Sequence, residues 1–118
     1  MDAFVGEIKL WPMSWAPEGW VICNGQELKV AKHPALFFLL NNNYGGDGIE
    51  GFKVPDLRGR TAIGATDSRY DSNEGLPALS LGQTTGTEPA ETNNSNGHRG
   101  CLVVNFIICA EGTFPQRK

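Results

Sequence analysis

Glycine and proline divide this chain into short pieces. The sequence has fifteen glycines and seven prolines, and they are spread along its 118 residues rather than clustered. Glycine costs backbone entropy inside a helix or strand and proline removes a backbone N–H donor, so neither residue favours long regular elements. The spacing therefore predicts short strands and turns, and it excludes a helical bundle.

Three of these pieces have the apolar patterns of strands. Apolar and charged residues alternate through residues 4–11, which predicts a half-buried strand. Residues 20–23 form a short apolar run that stops at Asn24-Gly25, a pair that readily turns the chain. Residues 101–109 are almost continuously apolar, which predicts a central or well covered closing strand.

One segment, residues 32–41, has the pattern of a helix. Pro34 suits the first helical turn, where its missing N–H would be unpaired anyway. Apolar residues then repeat at helical spacing as far as Leu40, on a surface broad enough to be buried on more than one side. Together with the strands, this predicts a small, strand-dominated α+β fold in one domain spanning residues 1–118.

Residues 67–99 differ from the rest in composition. They are rich in glycine, asparagine, serine and threonine, with few apolar positions. A loop of this length inside a compact domain is usually functional or ordered by a partner. We therefore expect a long polar surface loop that faces another molecule.

Charge and hydropathy exclude two classes of partner. Lysine and arginine number 10 against 13 aspartates and glutamates, so the formal charge of −3 leaves no basic surplus for a nucleic acid backbone. The longest apolar run, residues 35–40, is far shorter than the roughly 20 residues that a membrane helix needs. No cleaved signal peptide is recognisable, which predicts synthesis in the cytoplasm without membrane insertion.

The cysteines do not form a recognisable reactive or metal-binding pattern. Cys23, Cys101 and Cys109 are odd in number and match no disulfide framework, so we expect buried apolar thiols, with pairing left open. A thiol enzyme would need one of them in an electropositive, accessible setting beside a base, and it is the least favoured function. The sequence implies no cofactor.

Two candidate metal sites are weak. His98 and Cys101 supply two ligands where a structural zinc needs four, so a site would require His98 from several chains on an oligomer axis. The glycine-rich loop at residues 44–51 contains Asp47 and could hold a cation, although tight turns explain its composition more simply.

Ordered blocks of residues run along nearly the whole chain. They are Gly6-Glu7-Ile8, Trp15-Ala16-Pro17-Glu18-Gly19-Trp20, Cys23-Asn24-Gly25-Gln26, Tyr44-Gly45-Gly46-Asp47-Gly48, Phe52-Lys53-Val54-Pro55-Asp56-Leu57-Arg58-Gly59-Arg60, Leu81-Gly82-Gln83 and Asn105-Phe106-Ile107-Ile108. In this order they resemble the phage tail collar domain of tail-fibre and microcystin-dependent-type proteins. The resemblance implies a structural part of a tail fibre or a small stand-alone protein, commonly a homo-oligomer, without catalysis.

The chain departs from that family at one place. Relatives often continue after Gly-Gln-Thr-Gly-Gly-Ser-Glu into a larger region with an Ala-His-x-His motif. Here residues 82–88 read Gly-Gln-Thr-Thr-Gly-Thr-Glu and lead to a short polar loop. The histidine pair that binds metal in relatives is missing, which moves the emphasis from receptor binding to assembly.

The sequence thus predicts a non-enzymatic, self-associating subunit of a fibre, collar or filament, located in a virion or an extracellular filament. Its partners would be further copies of itself, other tail proteins or a surface glycan. The alternative is a cell-surface or carbohydrate recognition module that uses exposed tryptophans such as Trp15. The residues expected at the interface are Phe4, Ile8, Trp11, Trp15, Leu102, Val104, Phe106 and Ile108.

Overall fold

Five short strands and one helix make up the described fold. The structure is a computed structural model, and it describes residues 3–66, 79–85 and 100–117. The elements in chain order are β1 (Ile8–Trp11), β2 (Trp20–Ile22), β3 (Glu27–Lys29), α1 (Pro34–Leu40), β4 (Gly51–Lys53) and β5 (Asn105–Cys109). The predicted strand-dominated α+β class is confirmed.

Strand β5 is the centre of a three-stranded antiparallel sheet with the order β1-β5-β2. Ile108 of β5 lies opposite Ile8 on one side and opposite Val21 on the other. Such a strand has neighbours on both edges and side chains covered on both faces, which explains its nearly continuous apolar sequence. The prediction that the closing strand is central is therefore confirmed.

The two outer strands limit how long β5 can be. The predicted strand began at residue 101, but pairing begins at Asn105, opposite Trp11. Pro12 follows Trp11 and has no N–H to donate, so the ladder cannot continue beyond that pair. Residues 101–104 consequently lie outside the sheet.

The predicted strand over residues 4–11 is also shorter in the structure, because the chain bends at Gly6. This residue has a φ of 93°, and the Glu7 N–H donates to the Phe4 carbonyl in a turn. Phe4 instead forms an isolated parallel bridge with Thr113, so the two ends of the chain meet there.

Strands β3 and β4 form a second, two-stranded sheet that the sequence did not predict. Leu28 pairs with Phe52, and both side chains are buried. The flanking Glu27 and Lys53 pair with each other and are exposed. Each strand has only three residues, which is too short for a pattern of period two to be recognised.

Helix α1 has seven residues, three fewer than the predicted range of 32–41, and it is buried on one side. It starts with Pro34 at its first turn and ends at Leu40. The next residue, Asn41, donates its N–H to the Phe37 carbonyl at 2.7 Å, and its φ of 52° turns the chain out of the helix. Leu36 is fully buried, whereas Phe38 is 70% exposed. The expected burial on more than one side is therefore wrong.

A single apolar core joins the helix to both sheets. Its buried members are Val5, Cys23, Leu28, Leu36, Phe52, Val54, Ile108 and Ala110. Phe52 is fully buried and packs against Phe37, with ring centroids 5.4 Å apart. The core thus takes residues from the first half of the chain and from its C-terminal end.

Replacement of Phe52 by alanine is expected to lower the free energy of unfolding by about 3–5 kcal/mol, because it removes a fully buried ring and leaves a cavity. Phe38→Ala is the matched control, since Phe38 is mostly exposed and contacts Phe114 at a centroid distance of 5.7 Å. It should cost about 1 kcal/mol or less. Urea unfolding measures both, and equal losses would contradict this description of the core.

Candidate interaction surface

Strand register separates the two faces of the three-stranded sheet. Neighbouring residues in a strand point to opposite faces, and Ile108 belongs to the core. Ile107 therefore points away from the core, together with Lys9 on β1 and Ile22 on β2, which lie directly opposite it. We call this the outer face of the sheet.

The outer face is covered rather than bare. Ile107 has no exposed surface, although it is not part of the core cluster. Its neighbours across the strands are the stem of Lys9 and the side chain of Ile22. A long lysine stem can bury its methylene groups while its ammonium group stays at the surface. The central strand is thus protected from water on both faces.

All three tryptophans of the chain lie together at this face. The rings of Trp11 and Trp15 meet edge to face, with centroids 5.8 Å apart and planes at 80°. The Lys9 ammonium lies 4.5 Å from the Trp20 ring centroid and 5.9 Å from that of Trp11. We call Lys9, Trp11, Trp15 and Trp20 the aromatic cluster.

The turn that carries Trp15 is fixed by hydrogen bonds. The Trp11 indole N–H donates to the Trp15 carbonyl at 2.7 Å, and the Asn105 side-chain amide donates to the Met13 carbonyl at 2.8 Å. The Trp20 N–H closes the turn on the Pro17 carbonyl at 3.0 Å. Trp15 is therefore held in one place while 58% of its surface is exposed. No local sequence pattern singles out Asn105 for this role, because its partner Met13 lies 92 residues away in the chain.

The eight residues predicted at an interface do not lie on one surface. Trp11 and Trp15 are brought together, and Phe4 and Ile8 are exposed near the N-terminal bend. Leu102 is 87% exposed, Val104 and Phe106 are half-buried, and Phe106 packs against the core. Ile108 is fully buried in the core, so it stabilises the subunit instead of facing outwards.

The glycine-rich loop is organised by the Asp47 carboxylate. One carboxylate oxygen accepts hydrogen bonds from the N–H groups of Ile49, Glu50 and Gly51 at 2.9–3.1 Å. These donors lower the pKa of Asp47. A Cβ at Gly46 would lie 2.7 Å from the Phe52 Cα, so the loop needs glycine there. Tight turns and a local cap account for this composition.

Arg58 and Asp56 form a bidentate ion pair at the surface. The Arg58 Nε and Nη2 atoms both lie 2.8 Å from the carboxylate oxygens of Asp56. Hydrogen bonding from Arg58 lowers the pKa of Asp56. Both side chains are largely exposed, so the pair contributes little to stability. The guanidinium fork is already used within the subunit.

The cysteines differ in exposure. Cys23 and Cys109 are buried as expected, and burial raises the pKa of the Cys23 thiol to about 12 and also raises the pKa of Cys109. The expectation of burial is wrong for Cys101, which is exposed because the strand begins four residues later. A thiol with a raised pKa holds little reactive thiolate at neutral pH.

The described histidine has a structural position. His33 is the residue before the first turn of α1, and its Nδ1 atom is buried without a hydrogen-bond partner among the described residues. His98, the metal candidate, lies outside the described residues. Within the described part of the chain, no group of three or more His, Cys, Asp or Glu side chains could hold a metal ion.

Part of the predicted 67–99 loop is held against the domain. Thr66 and Leu79 exchange hydrogen bonds, from the Leu79 N–H to the threonine hydroxyl at 2.7 Å and from the Thr66 N–H to the Leu79 carbonyl at 2.8 Å. Gly82 packs beside Asn43, whose side-chain nitrogen would lie 2.8 Å from an added Cβ. Residues 67–78 and 86–99 of the predicted loop lie outside the described residues.

Comparison with known proteins identifies one family. Residues 6–62 match the family model of the phage tail collar domain. This range includes the aromatic cluster, the glycine-rich loop and the Asp56–Arg58 pair. A search of curated proteins finds no match. None of the helices in the described residues has the length and apolarity to span a membrane.

The lowered pKa of Asp47 predicts how the stability of the protein depends on pH. A carboxyl group with a lowered pKa stabilises the fold above its unfolded value, ordinarily 3.8, and this contribution is lost as the pH falls through the lower folded value. We expect Asp47→Asn to be less stable than the original protein at pH 7, and the difference to shrink at about pH 3. Urea unfolding at the two pH values measures it.

Glu50→Gln is the matched control, because Glu50 is an exposed carboxylate of the same loop that accepts no hydrogen bond among the described residues. It should follow the pH dependence of the original protein. An equal stability difference for Asp47→Asn at both pH values would contradict the role assigned to the Asp47 carboxylate.

Proposed function

Residues 6–62 of this chain belong to the phage tail collar domain family, and from this premise we propose that the protein is a self-associating structural subunit of a phage tail fibre, collar or filament. The family is a structural component of phage tails, which implies a virion-associated role. The proposal goes beyond the family in two respects, namely that the subunits bind one another and which surface they use.

The observation that carries the self-association is the exposure of Leu102 and Val103. Leu102 and Val103 are 87% and 77% exposed, immediately before the central strand. Apolar side chains that adjoin one another and face water are typical of a contact surface. They also belong to the segment that the sequence predicts as strand, so a partner could supply the pairing that β1 and β2 do not.

The sheet edges decide where a second copy can pair. Both edges of β5 are already occupied by β1 and β2, so this strand is not open to pairing with a second copy. Strand β1 is an edge strand of four residues. Strand β2 is the other edge strand, and the contact that we propose uses residues 102–104, whose backbone groups lie outside the ladder and which include the exposed Leu102 and Val103.

The proposal includes no catalytic activity. The two buried thiols have raised pKa values, and the Arg58 fork is paired with Asp56. These observations support a structural role, in line with the family. The protein would act in a virion or an extracellular fibre after synthesis in the cytoplasm.

Substitution of Leu102 by glutamate should weaken self-association by about tenfold or more, because a carboxylate would be desolvated in the contact. Ile49→Glu is the matched control, since Ile49 is 78% exposed in the glycine-rich loop and lies outside the proposed contact. Size-exclusion chromatography with light scattering gives the mass of each variant. A monomeric original protein at high micromolar concentration would overturn the proposal.

A second candidate function is recognition of a cell-surface carbohydrate by Trp15. The specific observation is that the Trp15 ring is 58% exposed while its turn is fixed by Trp11 and Asn105. A ring that is already held in place loses little conformational freedom on binding. Such a ring offers an apolar platform for the face of a sugar.

For this candidate, Trp15→Ala should lower retention on a glycan array by about tenfold. Phe38→Ala removes an aromatic ring that is 70% exposed on α1 and serves as the matched control. Trp15→Tyr should keep most of the binding because it retains an aromatic face. Unchanged retention in Trp15→Ala, or no retained glycan for the original protein, would remove this candidate.

A further inference from the structure

Lys9 places a positive charge over two tryptophan rings. Its ammonium lies 4.5 Å from the centroid of Trp20 and 5.9 Å from that of Trp11. Both distances are within the range in which a cation is attracted by the negative face of an indole ring. We call Trp11 and Trp20 the cradle, and Lys9 is the group that occupies it.

The position of Lys9 follows from strand register. Lys9 on β1 lies opposite Ile107 on β5, and Ile107 is opposite Ile22 on β2, two residues after Trp20. The lysine stem therefore covers Ile107, and its head reaches the rings on either side. The backbone of both tryptophans is set by pairing with β5, and the Trp11 ring is also held by its hydrogen bond to the Trp15 carbonyl, so we expect the cradle to persist when the ammonium leaves.

Carboxylates add to the attraction for a cation. The charges of Glu7 and Glu111 raise the pKa of the Cys109 thiol and the charge of Lys9 lowers it, so two acidic groups and one basic group lie near this thiol. Among the described residues, Lys9 forms no ion pair within 4.0 Å, whereas Arg58 forms one with Asp56. Without the lysine, the two charges that act on this thiol are both negative.

We propose that the cradle of Trp11 and Trp20 is a binding site for a quaternary ammonium group of the choline type, which enters by displacing the Lys9 ammonium. A trimethylammonium group has the same charge but no N–H donors, so it gives up less hydration than the strongly hydrated lysine head. It also presents methyl groups to the ring faces. Aromatic rings of this kind are the usual protein receptors for such cations.

Lys9 acts as a built-in competitor. A ligand binds only to molecules in which the lysine has left the cradle. Its apparent affinity is therefore its intrinsic affinity multiplied by the fraction of such molecules. Removal of the lysine should therefore tighten binding of a cation. General electrostatics acts in the same direction, but the loss of one positive charge from an exposed surface has only a weak effect, so the size of the change relative to another exposed lysine distinguishes the proposal.

The test is a fluorescence titration of the full chain, whose three tryptophans all belong to the aromatic cluster. The probe is choline chloride at constant ionic strength, compared with 3,3-dimethyl-1-butanol, which has the same shape without charge. Choline should give a saturable change, and the neutral analogue should bind at least about fivefold more weakly. Equal binding of both would overturn the proposal.

Variants separate the roles of the residues. Lys9→Met should tighten choline binding by about threefold to tenfold. The matched control Lys29→Met replaces an exposed lysine of β3 and should change nothing. Trp20→Leu should abolish binding, whereas Trp15→Leu should retain it. If Trp20→Leu does not fold, Lys9→Met still decides, because weaker or unchanged choline binding in that variant overturns the proposal.

The source of the choline group can be distinguished with the same protein. Phosphatidylcholine vesicles present a membrane surface, and albumin conjugated with phosphocholine presents a polymer-like surface. Retention on either, with release by free choline, supports the proposal, and retention on neither overturns it. The outcome is separate from the proposed assembly, because the mass measured by light scattering does not depend on the cradle.

Discussion

The rest of the structure depends on the pairing of β5 with both of its neighbours. Strand β5 sends Ile108 into the core with Leu36 and Phe52, and it sends Ile107 to the outer face beneath Lys9. Its neighbours come from the other end of the chain, since the Asn105 side chain donates to the carbonyl of Met13, 92 residues earlier. The family match ends at residue 62, so the matched segment lacks the central strand of its own sheet. The C-terminal residues are therefore an integral part of this sheet, and closing the chain over this distance costs entropy that the two-sided pairing must offset.

Local sequence patterns predicted the longer elements, because several consecutive residues are needed before a strand or helix pattern can be recognised. The central position of β5 follows from an apolar run, and α1 follows from Pro34 and helical spacing up to Leu40. The extent of β5 did not follow, because it is set by Pro12, which ends the partner strand β1. Strands β3 and β4 were missed because the pairing of Leu28 with Phe52 is a tertiary contact between two three-residue segments. Cys101 is exposed for the same reason, because β5 begins only at Asn105.

Two of the four residues of the aromatic cluster were predicted from the sequence, but their arrangement with the other two was not. Trp11 and Trp15 were expected at a surface, and they are neighbours in sequence, so their contact follows from one turn. Trp20 and Lys9 meet only because β1 and β2 both pair with β5, and no local pattern records that register. In sequence, Lys9 is an ordinary polar residue of an alternating strand. The position of its charge over two rings becomes visible only in three dimensions.

Asn105 connects the two surfaces that the proposals use. It is the first residue of β5, directly after the segment 101–104 that lies outside the sheet, and it lies opposite Trp11. Its side chain also holds the carbonyl of Met13, and so the turn that carries Trp15. The contact proposed for self-association lies before Asn105 in the chain, whereas the cradle lies on the outer face formed by β1 and β2. Because the two surfaces use different residues and are joined through a paired strand, a subunit can be part of an assembly and still present its tryptophans to a ligand.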